Sequence, residues 1–202
     1  GFAGSGKTYL SMKLLKKVDE LGLCWTVVAP THKAVGVLRE GLKRESLQPT
    51  WFPSTIHRLL RLKLKRQADL EICEKTDQTE SSLENLGLVL IDEASMIDSK
   101  LLEITLECAR SNSTRLVFVG DPAQLPPVGE TSSSAFLMKR AVNSELKEVV
   151  RHQGPVLRLA KIVRDGHIPC DQPPILPIIS NKKGNVGMLE RNNWLEKAKS
   201  AL

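Results

Sequence analysis

The first eight residues, Gly1-Phe2-Ala3-Gly4-Ser5-Gly6-Lys7-Thr8, place three glycines ahead of a lysine and a hydroxyl, in the spacing G-x-x-x-x-G-K-[ST]. Glycines at that spacing let successive backbone N–H groups turn inward around an anion. In this Walker A pattern the anion is the α- and β-phosphate pair of a nucleotide; Lys7 reaches the β- and γ-phosphates and the Thr8 hydroxyl ligates Mg²⁺. Gly1, Ala3, Gly4, Ser5 and Gly6 are the candidate cradle, closed by Lys7 and Thr8. Behind the loop Leu10, Leu14, Val18 and Leu21 recur at helical spacing, and Gly22 stands where a helix should stop. The loop therefore opens onto a helix N-terminus, where aligned peptide dipoles favour an anion. A chance glycine-rich turn is the alternative, and the Lys-Thr ending with a helix behind it argues against that.

Two more polar clusters follow apolar runs. Residues 88–91 read L-V-L-I and lead into Asp92-Glu93, the form of a Walker B strand. Asp92 would hold Mg²⁺ through its water shell alongside Thr8, and Glu93 would orient and deprotonate an attacking water. Two acids at a strand end could instead cap the next helix. The third cluster is Gly120-Asp121-Pro122-Ala123-Gln124, after the apolar residues 117–119. Gln124 donates and accepts without charge, so it suits a group that contacts the γ-phosphate or the water and loses that partner on hydrolysis.

The elements that must carry these groups alternate. Residues 24–29 (C-W-T-V-V-A), 88–91 and 116–119 read as buried strands. Helices are expected after Thr31, with Ala34, Val35, Leu38 and Leu42 on one face, and after Asp98, carrying Leu101, Leu102, Thr105, Leu106 and Ala109. That alternation predicts an α/β fold, a parallel sheet with helices on both faces and its polar clusters at the carboxyl ends of the strands. A P-loop needs a buried strand ahead of it, so an internal piece of a longer protein is expected. Two stretches break the rhythm. In residues 57–86, Leu62 and Leu64 alternate with Arg61, Lys63 and Lys65, and Leu70 and Ile72 alternate beyond a Gln67-Ala68 turn. This predicts a β-hairpin over residues 61–73 with one cationic face. Residues 170–183, with Pro173, Pro174 and Pro177, predict an irregular connector.

Composition narrows the class. The chain has 202 residues, 41% hydrophobic and 26% charged, enough for a full domain with a buried core. Lys plus Arg exceed Asp plus Glu by 29 − 23 = 6, which fits a polyanionic partner without requiring one. Aromatics are only 4%, so base-stacking surfaces must be few. Cys24, Cys73, Cys108 and Cys170 are scattered, with no C-x-x-C pair, which argues against zinc or disulfides and for a reducing, intracellular and cytoplasmic setting. No apolar run approaches the length of a membrane span.

The blocks G-F-A-G-S-G-K-T, A-P-T-H-K-A, L-I-D-E-A-S-M-I-D and V-G-D-P-A-Q-L-P-P-V-G resemble, in order and spacing, motifs I, Ia, II and III of superfamily 1 helicases. They look most like the RecD-like and Dda-like branch, which runs 5′→3′, and F-P-S-T-I-H is similar to its motif Ib. The resemblance implies a RecA-like P-loop motor domain over residues 1–130, with residues 58–86 as an inserted pin region and 131–202 as the start of a second motor domain. ATP and Mg²⁺ are the implied cofactors, with Lys7, Asp92, Glu93 and Gln124 at the phosphates. Leu146-Lys147-Glu148-Val149-Val150-Arg151 resembles motif IV, which makes Arg151 an arginine-finger candidate. His152 stands where the family often has Gln and weakens that assignment. Pro30, Thr31, His32, Lys33, Ser54, Thr55 and His57 match positions that hold the backbone of single-stranded DNA without reading sequence. Arg61, Lys63 and Lys65 fall where the branch meets a duplex junction, although a solvated basic face explains them equally well. A P-loop kinase and a DNA-binding repair or recombination ATPase without unwinding activity are the rival readings.

Overall fold

The computed structural model describes residues 4–67, 70–146, 179–181 and 184–186. The apolar run after Cys24 forms strand β1 (Trp25–Ala29), buried along its whole length. It lies between the two-residue β2 (Ser54–Thr55) and β5 (Leu88–Ile91), and β6 (Arg115–Phe118) pairs with the other side of β5. Every pairing in this four-stranded sheet is parallel, with Thr26 beside Val89 and Leu90 beside Val117. The expected strand at 116–119 is thus observed one residue earlier.

Parallel strands need crossovers, and the crossovers cover both faces. Helices α1 (Lys7–Glu20) and α2 (His32–Arg44) pack on one face, where Met12, Leu15, Val35 and Leu38 meet Trp25, Val27, Leu88 and Leu90. The short α3 (Ile56–Leu59) and α4 (Ser99–Ser111) pack on the other, where Ile56, Leu101 and Ile104 meet Val28, Val89 and Ile91. Alternate residues of β5 therefore enter opposite cores, which is why its sequence is apolar throughout. Each such aliphatic side chain stabilises the fold by about 1.5–3 kcal/mol relative to exposure.

Helix ends follow local chemistry. The Thr31 hydroxyl accepts from the Ala34 N–H at 3.2 Å and the Asp98 carboxylate from the Leu101 N–H at 2.7 Å, each satisfying a donor that the helix cannot. Gly22, at φ 67°, ends α1 with its N–H bonded to Asp19 O and the Leu23 N–H to Val18 O, a left-handed stop that suits glycine. The face of α1 differs from expectation. Ser11, Met12, Leu15 and Val18 are the buried residues, whereas Leu10 and Leu14 border a cleft beside β6 and Leu21 is exposed. The helix is apolar on two adjacent stripes, and only one of them meets this sheet.

The insertion contains the expected hairpin, as β3 (Lys63–Gln67) and β4 (Leu70–Glu74). Its cationic face does not survive the register. Lys63 pairs with Glu74, Lys65 with Ile72 and Arg66 with Glu71, so acidic and apolar residues stand across from the bases. Lys65 Nζ is 2.6 Å from Glu74 Oε2. Arg61 lies before the hairpin, in a left-handed conformation (φ 53°), with its guanidinium on Gln78 Oε1 and its carbonyl accepting from the Thr76 hydroxyl. The hairpin base is tied to α4 through Lys75 and Glu107.

The chain divides into two compact units, residues 1–148 and 149–202. The first runs past the expected boundary at 130, because the segment that follows packs back on it: Ala135 is buried in the α4 core and the Ser133 hydroxyl donates to Ile97 O. In the second unit β7 (Ile179–Asn181) pairs antiparallel with β8 (Gly184–Val186), so part of the expected connector is a strand. Among the described residues no helix is long and apolar enough to cross a membrane.

Candidate active site

The loop before α1 has the backbone that its glycines predict. Gly4 (φ 76°) and Gly6 (φ 91°) are both left-handed, and Gly6 caps α1 with no side chain on the first-turn N–H groups. Those donors point along the helix axis, which is the arrangement that receives a phosphate. Gly1 and Ala3 lie outside the described residues. Ser5 is buried, while Lys7 and Thr8 are half-buried at the start of α1.

Walker B follows directly from strand pairing. The Asp92 N–H donates to Val28 O at 2.9 Å, which extends the β1–β5 ladder and fixes Asp92 at the carboxyl end of β5. Its Oδ1 accepts from the Glu93 N–H at 2.9 Å. Burial pushes the Asp92 carboxyl above its ordinary range, against the opposing pull of that N–H and of the Lys7 ammonium. Glu93 is also pushed up, first by burial and then by the neighbouring charges of Asp92 and Asp121, with Lys7 opposing. Lys7, Asp92, Glu93 and Asp121 therefore share one electrostatic environment.

Two adjacent carboxylates, Asp92 mostly buried and Glu93 half-buried, with the Lys7 charge nearby, suit a hard divalent cation with oxygen ligands. No cluster of three or more His, Cys, Asp or Glu forms a ready cage among the described residues. Mg²⁺ does not require one, because it keeps several waters and shares phosphate oxygens. Thr8 and Asp92 are the residues that would hold it.

Asp121 was not singled out from the sequence as a site residue. It is 3% exposed, its carbonyl accepts from the Gln124 N–H at 3.0 Å and its Oδ1 from the Ala123 N–H at 3.2 Å. Those bonds form the turn that presents Gln124. The Asp-Pro pair was a detectable turn signal, but burial of the carboxylate was not. Gln124 and Glu93 line one cleft of about 550 Å³ together with Thr31, Lys33, Ser95, Met96 and Leu125. The Ser95 hydroxyl is buried with no hydrogen-bond partner in the structure.

The strand-grip candidates fall into two sets. Pro30, Thr31, His32 and Lys33 follow β1, with Lys33 exposed at the first turn of α2. Ser54 and Thr55 form the neighbouring β2, and His57 lies in α3 directly after it. Thr31 and Thr55 both serve as helix caps, accepting from the N–H groups of Ala34 and Arg58. A capping hydroxyl still carries its own proton, so each can donate to a phosphate oxygen. His57 is half-buried, and burial holds its imidazole below its ordinary pKa, with Asp98 opposing. Lys63 and Lys65 stand on the hairpin and Arg61 at its base. Arg151 lies outside the described residues.

A family model described as an AAA domain matches residues 1–175. The chain belongs to that family, within the RecD-like and Dda-like superfamily 1 helicases. It is 37% identical over 148 residues to the uncharacterized protein R530 of Acanthamoeba polyphaga mimivirus, covering 67% of this chain and 30% of that protein. It is 28% identical over 172 residues to the ATP-dependent DNA helicase dda of Enterobacteria phage T4, covering 82% of this chain and 37% of that one. The fold is similar to that of the Bacteroides Pif1 crystal structure bound to single-stranded DNA, with a TM-score of 0.55 and 20% identity over 84% of this chain and 42% of that one. This helicase-family chain thus spans about a third of the length of these two curated relatives.

Proposed function

We propose that the chain is a motor domain of an ATP-dependent DNA helicase, which binds ATP and single-stranded DNA and couples hydrolysis to translocation and unwinding. The observation that carries this reading is the convergence on one sheet edge. Glu93 and Gln124 share a single cleft with Thr31 and Lys33, so phosphate chemistry and strand grip meet across a few residues. In this reading the N–H groups before α1 and Lys7 bind the phosphates. Glu93 takes a proton from the attacking water, and Gln124 contacts the γ-phosphate end. Mg²⁺, when bound by Thr8 and Asp92, would neutralise charge on the β- and γ-oxygens.

Pro30, Thr31, His32, Lys33, Ser54, Thr55 and His57 hold the strand backbone, and Arg61, Lys63 and Lys65 face the duplex junction. Arg151, in the block that resembles motif IV, is the arginine-finger candidate. The 5′→3′ direction and an intracellular setting complete the reading, on family resemblance.

The test is ATP turnover with and without single-stranded DNA, in the protein carrying this chain. Lys7→Ala should weaken ATP binding, whereas Glu93→Gln should keep binding and lose turnover. Normal turnover in Glu93→Gln removes that residue from the role, and turnover indifferent to DNA favours a kinase-like P-loop enzyme.

A further inference from the structure

The turn that carries Glu93 has a backbone shape that glutamate seldom adopts, φ 52° and ψ 41°. A residue held there depends on its surroundings to impose it. Two sets of attachments do so. On the β6 side the Ala94 N–H donates to Val119 O at 2.9 Å, and the Val119 N–H to Ile91 O at 2.8 Å. Gly120 follows, where a Cβ would lie 2.8 Å from Phe136 Cζ, 3.1 Å from Ala94 N and 3.2 Å from Ser95 N. A side chain there would force the ring or the turn to shift.

On the other side runs the segment after the Gln124 loop. The Ser99 N–H donates to Glu130 Oε1 at 2.7 Å, the Ser133 hydroxyl to Ile97 O at 2.7 Å, and the Ser99 and Ser134 hydroxyls are 2.9 Å apart. Phe136 ends this strap, half-buried against the core that contains Ala94 and Ile97. The strap is not among the residues that line the cleft with Gln124, yet it is bonded to Ile97 and Ser99 beyond the turn and reaches Gly120 through Phe136.

We infer that Phe136, seated against Gly120, is a positioning residue for Glu93: ring and glycine together hold the left-handed turn that presents the carboxylate to the cleft shared with Gln124. This rests on the reading of Glu93 as the group that activates water. Neither residue belongs to the loop before α1, although both border a cleft that Lys7 also lines, so an unchanged ADP affinity is what separates a positioning role from damage to the phosphate site. With the contact loosened, the carboxylate spends less time where water must be activated, and turnover falls while nucleotide binding stays.

The test uses Phe136→Leu and Gly120→Ala, each alone and each combined with Glu93→Gln, in the protein carrying this chain. Turnover, KM for ATP, ADP affinity and melting temperature are measured for every variant. Each single variant should lose about tenfold to 100-fold in kcat, with KM and ADP affinity nearly unchanged. In the Glu93→Gln background neither should lower the residual rate further, because no carboxylate remains to be positioned. A merely structural role would reduce both backgrounds alike, and that result overturns the proposal. So does a Phe136→Leu protein with parental kcat; if Gly120→Ala does not fold, Phe136→Leu decides alone. A parent protein without ATP turnover overturns the nucleotide reading itself, and the positioning role with it.

Discussion

The sheet edge and the hairpin are both rich in charge, and they hold it in opposite ways. At the ends of β5 and β6 the acids Asp92, Glu93 and Asp121 are gathered against one another, with two of them pushed toward the neutral form by burial. On β3 and β4 Lys63 is in register with Glu74, and the Lys65–Glu74 pair is exposed to water. Like charges confined out of water cost stability and mark a place where a ligand restores the balance. Opposite charges paired in water cost little and contribute little. The first region gathers like charges beside Lys7, whereas the second sets opposite charges together.

The sharpest way to break that contrast is to exchange which function each region controls. Glu93→Gln should lower ATP turnover by about 10²- to 10⁴-fold, the range expected on losing a general base. Replacing residues 63–74 with a short glycine-containing turn should leave DNA-stimulated turnover near the parent rate while strand separation is lost. A deletion that unwinds a forked duplex as well as the parent would show that the hairpin is only a solvated projection.

Stability should divide along the same line. Leu90 is fully buried and enters the α1–α2 core from the central strand. Leu90→Ala should cost about 2–5 kcal/mol, read from urea unfolding. Asp92→Asn should act in the reverse direction. The folded-state pKa of Asp92 is raised, so its contribution to stability is fully present below the unfolded pKa and is lost as pH rises through the folded one. Removing the charge should therefore raise the melting temperature of the nucleotide-free protein at pH 7, and the gain should vanish in acid. A lower melting temperature at pH 7 would mean that Lys7 and the Glu93 N–H outweigh burial.

Much of the sheet edge was legible in the sequence because its signals are local. The glycine spacing before Lys7, the apolar run before Asp92 and the caps Thr31 and Asp98 each depend on a few neighbouring residues, and each is observed at its expected place. Burial of Asp121 and the close approach at Gly120 were not legible, since both arise where β6 meets the turn after β5. The choice between two apolar stripes of α1 depends on which neighbour each one meets, and periodicity alone cannot supply that. The hairpin register was hidden for a related reason. Alternation shows which residues share a face of one strand, but the turn decides who stands opposite.

The smallest effect tests that register directly. Lys65 and Glu74 lie on paired strands, two register positions apart on one face, with their charges 2.6 Å apart and both side chains about half exposed. Water screens such a pair, and ordering two long side chains offsets part of the attraction. A double-mutant cycle of Lys65→Ala and Glu74→Ala should give a coupling of about 0.2–1 kcal/mol, falling further in 1 M salt. The single Glu74→Ala variant would also release a cation beside the junction, so DNA affinity should rise slightly and its salt dependence should steepen. A coupling well above that range would place the pair out of water, and the hairpin would then be packed against something rather than projecting from the domain. No coupling together with unchanged DNA affinity would leave Lys65 without a role in either region.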